Sequence, residues 1–160
     1  MEKPINYSDK LDEIKNRYDC KILLDFPSEY KYDDLLNYIN FEDTMKKLEL
    51  DSKLQKLKQK IEDYNGDKFD EIEIKKKKKI IDEMITELNN IKKESKEKYD
   101  YSQNLLEELK NDYKKNKENK EAKTIFGNVS RDIVESTYKF YIKCEKRLII
   151  IVDNINSFKL

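Results

Sequence analysis

Acidic side chains recur at helical spacing and are the residues of this chain best suited to bind a metal ion. The pairs are Glu94 with Glu97, Glu118 with Glu121, and Asp132 with Glu135. Carboxylates three residues apart lie on one face of a helix, and such pairs on facing helices can hold Mg²⁺. A magnesium-dependent all-α hydrolase is therefore one hypothesis. Because the chain has 34 acidic residues, such spacings also arise by accident, and a solvated face is favoured.

Lysine clusters are the second group of residues with binding chemistry, because ammonium groups neutralise phosphates. The candidates are Lys75, Lys76, Lys77, Lys78 and Lys79, followed by Lys114, Lys115 and Lys117 in a basic segment at 114–123. A nucleic-acid-associated helical protein is therefore a second hypothesis.

The five consecutive lysines do not form a one-sided stripe if their segment is helical. Each residue turns about 100° round a helix axis, so residues 75–79 surround it. Acidic residues at 70–73 and 82–83 flank the run at spacings that allow ion pairs. The apolar seam from Ile74 to Ile81 passes through Lys77 or Lys78, whose stem is expected along a partner helix. A solvated, self-neutralised segment is favoured over a contact with nucleic acid or an anionic membrane, or a local helix break.

The residues that the chain lacks exclude many enzyme classes. There is no histidine, which removes imidazole bases and histidine metal ligands, and the two glycines lie in no phosphate-binding loop. We therefore predict no enzyme activity, no cofactor and no metal site. Cys20 and Cys144 lie far apart and predict free thiols in a reducing compartment. The longest aliphatic run is too short to cross a bilayer, so we expect no membrane span and a cytoplasmic protein.

The composition favours an elongated helical molecule. Hydrophobic residues make up 37% of the 160 residues and charged residues 42%, which leaves little apolar material for a round core. Lysines and arginines balance aspartates and glutamates, 34 against 34, so no net charge attracts polyanions. Two glycines and two prolines leave long helices uninterrupted. The preference for lysine, asparagine, isoleucine and tyrosine indicates an A/T-rich genome.

Apolar periodicity predicts four helices in one domain spanning residues 1–160. Their expected bounds are about 6–19, 33–64, 67–115 and 121–157. Leu50, Leu54, Leu57, Ile61 and Tyr64 form a heptad seam in the second helix.

Turn signals set the expected ends of these helices. Gly66 is expected to end the second helix in the left-handed conformation, with Asp67 capping the third. In the third helix the seam residues Ser95, Lys98 and Ser102 are polar, and Tyr99 and Leu106 are placed to compensate. Gly127 and Asn128 are a candidate break in the last helix, while residues 20–26 form either a buried connector or a strand.

The segment Leu148–Val152 is the strongest candidate contact for a partner. Leu148, Ile149, Ile150, Ile151 and Val152 are contiguous aliphatic residues, which on a helix face every direction and need cover on more than one side. Burial within the bundle is favoured, docking of a partner or a second copy is the alternative, and a strand paired with residues 21–26 is a third option.

These patterns together predict an all-α fold: an elongated antiparallel helical bundle, or coiled-coil hairpin, of three long helices plus a short N-terminal one. The leading hypothesis is a non-catalytic protein–protein interaction module that presents long helical surfaces. It would serve as a structural subunit, or as an inhibitor from a virus or mobile element. The expected partner is another protein or a second copy of the chain.

Overall fold

The chain is all-α, as the sequence predicted. A computed structural model describes residues 41–116 and 118–160, and those residues form helices with no strand. The helices are α1 (Phe41–Leu48), α2 (Leu50–Glu62), α3 (Glu71–Lys115) and α4 (Lys120–Ser157). The predicted helix 6–19, the segment 20–26 and the start of the predicted helix 33–64 lie outside the described residues. None of the four helices is long and apolar enough to cross a membrane.

Helix α3 is the longest described element, and its ends follow from local charges and caps. Its N-cap is Asp70, whose carboxylate accepts a hydrogen bond of 2.8 Å from the backbone N–H of Glu73. The helix therefore begins four residues later than predicted, and Asp67 is not its cap. Lys114 and Lys115 occupy the last turn, where cations oppose the negative end of the helix dipole. At 1.5 Å per residue the helix is about 68 Å long.

Helix α4 runs without interruption through the predicted break at Gly127 and Asn128. Its N-cap is Asn119, whose side chain accepts a hydrogen bond from the backbone N–H of Glu121 at 2.9 Å. Phe126 and Ser130, on either side of the glycine, are both buried. Their packing outweighs the intrinsic cost of a helical glycine, which is about 1 kcal/mol.

The connection between α2 and α3 is organised by Tyr64 and not by a left-handed glycine. Helix α2 ends at Glu62, and no glycine of the described residues has a positive φ, so the expectation for Gly66 was wrong. The Tyr64 hydroxyl accepts a hydrogen bond of 3.0 Å from the backbone N–H of Phe69. A Cβ on Gly66 would lie 2.9 Å from that hydroxyl oxygen. The glycine is therefore needed for space, because the tyrosine ring folds over the turn.

The predicted second helix is broken at Glu49, which adopts φ 50° and ψ 36°. Phe41 and Leu48 are buried on α1, and Leu50 and Leu54 are buried on α2. In a continuous helix Leu48 and Leu50 would point about 200° apart, so they could not both reach the same core. A single left-handed residue brings the two apolar stripes into phase. The break therefore lets the apolar stripes of α1 and α2, which would be out of phase in one continuous helix, face the same core.

Helices α3 and α4 pack antiparallel, because their contacts pair residues in inverse order. Lys77 bonds to Lys159, Lys98 to Ser136, and Tyr113 stacks on Phe126. Helix α2 packs on α3, and the two are joined by an ion pair between Asp51 and Lys92. Phe41 of α1 stacks on Tyr141 of α4 with 5.2 Å between ring centroids.

Ser95 and Ser102, in the polar middle of the α3 seam, are buried and hydrogen bonded, whereas Lys98 is half-buried. Ser102 lies 2.6 Å from Thr137, and the Thr137 hydroxyl donates to the backbone carbonyl of Ile133 at 2.9 Å. Because Thr137 has one hydroxyl hydrogen, Ser102 must be the donor in the first bond. Beyond this point Leu106 is buried and Leu105 is half-buried, so the seam shifts by one residue as the sequence suggested.

We predict that Glu49→Gly stabilises the protein by about 0.5–1 kcal/mol, because glycine adopts the left-handed conformation without a Cβ clash. The measurement is the free energy of unfolding from urea titration. Glu49→Ala is the matched control, since it removes the carboxylate and keeps the Cβ. A Glu49→Gly protein no more stable than Glu49→Ala would contradict the proposed strain.

Candidate protein-docking face

The five consecutive lysines lie within α3 and are distributed around it. Lys75, Lys76, Lys78 and Lys79 are exposed, whereas Lys77 is half-buried. The Lys77 ammonium donates a hydrogen bond of 2.8 Å to the backbone carbonyl of Lys159. It also lies 4.5 Å and 5.3 Å from the ring centroids of Phe69 and Phe158. Of the two lysines that the seam allowed, Lys77 thus contacts the residues that follow α4 and contributes to structure.

The second basic segment is divided between two elements. Lys114 and Lys115 belong to the last turn of α3, and Lys120 is the first residue of α4. Lys117 lies outside the described residues. The described lysines of this segment therefore do not form a compact basic patch.

The acidic pairs do not converge on a metal site. In the described part of the chain, no three Cys, Asp or Glu side chains are grouped closely enough to hold a metal ion. Glu94 instead forms an ion pair with Arg147, and Asp132 lies 3.9 Å from Arg131. These carboxylates thus contact arginines of α4.

The aliphatic run of α4 mostly belongs to the core. Leu148, Ile151 and Val152 are buried and Ile149 is half-buried, while Ile150 is 59% exposed. Of the five predicted partner-binding residues, Ile150 therefore offers the most surface to a partner. It lines a groove with Ile80 of α3, so two residues that lie far apart in the sequence meet on one side of the helix pair.

Arg147 defines that side of the α3/α4 pair. Its Nε donates to Glu87 at 2.6 Å and its Nη1 donates to Glu94, so one side chain bridges two turns of α3. Lys92, which pairs with Asp51 of α2, is two residues before Glu94 and therefore about 200° away round the axis. Helix α2 thus covers one flank of α3, and the Arg147 cluster lies on the opposite flank.

We call this opposite flank the rear face. Its residues are Ile80, Glu87, Glu94, Lys98, Tyr101 and Leu105 of α3 and Ile125, Val129, Lys143, Arg147 and Ile150 of α4. The Lys98 ammonium links the two helices within the face, since it bonds to Ser136 at 2.9 Å and lies 5.9 Å from the ring centroid of Tyr101. Val129 and Ile125 precede Ser136 by two and three helical turns, and these spacings keep them on the same stripe.

Exposed apolar side chains are concentrated on the rear face. Six large hydrophobic residues of the described chain are exposed, and five of them lie here, with exposed fractions between 38% and 59%. They are Ile80, Tyr101, Ile125, Val129 and Ile150. Val129 is exposed because Phe126 and Ser130 fill the core positions beside it.

The charges of the rear face are held by the protein itself. The carboxylates of Glu87 and Glu94 accept hydrogen bonds from Arg147, and these bonds raise the pKa of the guanidinium. The guanidinium therefore stays ionised, and its two carboxylates lie on α3 between Ile80 and Tyr101.

Below this face the Cys144 thiol is buried and free. Burial is the main cause that raises the pKa of the thiol to about 11; Arg147 opposes this rise, and Glu94 and Glu87 add to it. Since the thiolate is the reactive form, Cys144 is unsuited to nucleophilic chemistry near neutral pH.

We predict that Arg147→Met lowers the free energy of unfolding by about 1–2 kcal/mol, because it leaves two carboxylates on one side of α3 without their cation. Arg131→Met is the matched control: its side chain is equally exposed, at 32%, and its carboxylate neighbour is on its own helix. Chemical denaturation of both variants gives the comparison. Equal losses in the two would show that Arg147 does not hold α3 to α4.

We predict that Cys144 resists thiol reagents in the folded protein at about pH 8 and reacts fully after unfolding. A Cys20→Ser chain isolates this thiol, and absorbance of the released chromophore measures the reaction. Because the raised pKa belongs to the folded state, the unfolded chain loses the proton first as pH rises. The thiol's contribution to stability is therefore complete below its ordinary pKa and declines towards about pH 11. In Cys144→Ala the free energy of unfolding should lack this part of the decline with rising pH. Rapid labelling of the thiol in the folded protein would contradict its burial.

Comparison with known proteins gives no assignment: no family model, no curated protein and no solved structure matches this chain.

Proposed function

We propose that this protein is a non-catalytic interaction module: an elongated antiparallel bundle of long helices that binds a protein chain through the rear face. The observation that carries the proposal is the grouping of five exposed large apolar side chains on one flank of the α3/α4 pair. Exposed apolar residues scattered singly need no explanation, whereas a grouped set indicates a surface that becomes buried on binding. The proposal includes a structural or inhibitory role in the cytoplasm.

The chemistry of the rear face favours a protein partner over a nucleic acid. Isoleucine and valine side chains gain free energy when another apolar surface removes them from water, and a phosphate backbone offers no such surface. The cluster of Arg147 with Glu87 and Glu94 carries both signs of charge, which suits a polar contact with matching charges. Tyr101 is exposed beside Lys98 and belongs to a residue type common at the centre of protein interfaces.

The test is co-purification from the source cell with three forms of the chain. We expect a stoichiometric protein to be recovered with the natural chain and lost with the double variant Ile80→Glu, Ile150→Glu, because two buried carboxylates would oppose binding. Ile72→Glu is the control. This isoleucine is 66% exposed, and it lies five residues before Lys77, which already contacts the end of α4.

Circular dichroism of the variants confirms that each remains folded. Recovery of the same partner at the same yield with the double variant would refute the rear face as the docking surface.

A further inference from the structure

We infer that the rear face binds a second copy of the chain, with a two-fold axis parallel to the helices. This inference rests on the proposed function, because it names the partner of the same face. The axis would run along the groove between α3 and α4. Rotation about such an axis leaves each residue and its equivalent in the second copy at the same height along the helices. It also places α3 of one copy opposite α4 of the other.

The apolar residues of the face match under this operation. Ile80 and Ile150 line one groove and so lie near the same level along the helices. Ile80 would therefore contact Ile150 of the second copy, and Ile150 would contact Ile80 of the second copy. At the other end Lys98 meets Ser136, and one heptad further along both helices are Leu105 and Val129. Those two residues are therefore level as well. Each end of the interface would bury aliphatic side chains from both copies.

The charges match under the same operation. Glu87 and Glu94 lie on α3, whereas Lys143 and Arg147 lie on α4, one turn apart. Because α3 faces α4 of the second copy, Glu87 and Glu94 face the α4 stripe that carries Lys143 and Arg147, and Glu94 lies level with Lys143 of the other chain. A two-fold axis across the helices would instead bring Glu94 beside Glu94 and Lys143 beside Lys143. Like charges facing each other disfavour that alternative.

The size of the face suits a stable dimer. From Ile125 to Ile150 the α4 stripe spans 25 residue steps, or about 38 Å, and two adjacent helices are about 20 Å wide. The footprint is therefore roughly 750 Å², close to the 800 Å² or so that each partner contributes to a standard interface.

Light scattering coupled to size exclusion tests the stoichiometry. At micromolar concentration the natural chain should show twice the chain mass of 19.4 kDa. Ile150→Glu and Ile80→Glu should each reduce the mass to that of one chain, and Ile72→Glu should leave the dimer intact. Lys143→Glu, an exposed substitution that spares the core, should raise the dimer dissociation constant about tenfold through the lost charge contact.

Spin labels test the orientation. In a Cys20→Ser chain, a nitroxide on Ile72→Cys marks one end of α3. Two labels at the same end should lie less than about 40 Å apart, whereas an axis across the helices would separate them by roughly 65 Å. The longer distance would overturn the parallel arrangement.

The outcomes separate this inference from the proposed function. A natural chain that is monomeric, but still captures a different protein in a manner sensitive to Ile150→Glu, overturns the second copy and leaves the interaction role standing. A dimer unaffected by Ile80→Glu and Ile150→Glu overturns the inferred interface. A monomer that captures nothing removes both.

Discussion

Arg147 reaches two carboxylates, Glu87 and Glu94, that lie one heptad apart on α3, and the register of the α3/α4 pair depends on that double contact. A heptad seam permits slips of seven residues, because apolar side chains then meet other apolar side chains. After a slip in either direction Arg147 would keep one carboxylate and face Ile80 or Tyr101 in place of the other. The buried bond from Ser102 to Thr137 adds a second constraint, since one of the two slips would bring Ser102 to the thiol of Cys144. Polar contacts therefore select one arrangement among several that the apolar seam alone would allow.

The rear face exists because α1 and α2 cover only one flank of this pair. The break at Glu49 lets both short helices keep their apolar stripes against the same core, and the Asp51–Lys92 ion pair holds α2 on its flank. The opposite flank keeps the Arg147 ion pairs and its exposed isoleucines. Within the described residues, one flank of the α3/α4 pair is therefore covered by α1 and α2, and the other flank is available for binding.

The long helices were predictable from sequence, and the breaks and the exposed flank were not. Periodicity placed α3 and α4 to within a few residues, since their seams are long and glycine is rare. Periodicity also predicted that either Lys77 or Lys78 lies along the seam. The break at Glu49 was visible only as a phase jump between Leu48 and Leu50, because glutamate carries no signal for a left-handed residue. Ile80 and Ile150 lie 70 residues apart, and no local sequence pattern predicts which flank of α3 is covered by α2.

Both ends of the α3/α4 pair are fastened by aromatic rings. At one end the Lys77 ammonium lies between Phe69 and Phe158, and at the other Tyr113 stacks on Phe126 with 4.6 Å between centroids. Helices ordinarily fray from their ends, where backbone groups lack partners. Here fraying of either terminus must first separate a cation or a ring from its aromatic neighbour. Amide protons near the tips of this hairpin are thereby shielded from solvent exchange, and opening becomes an event shared by both helices.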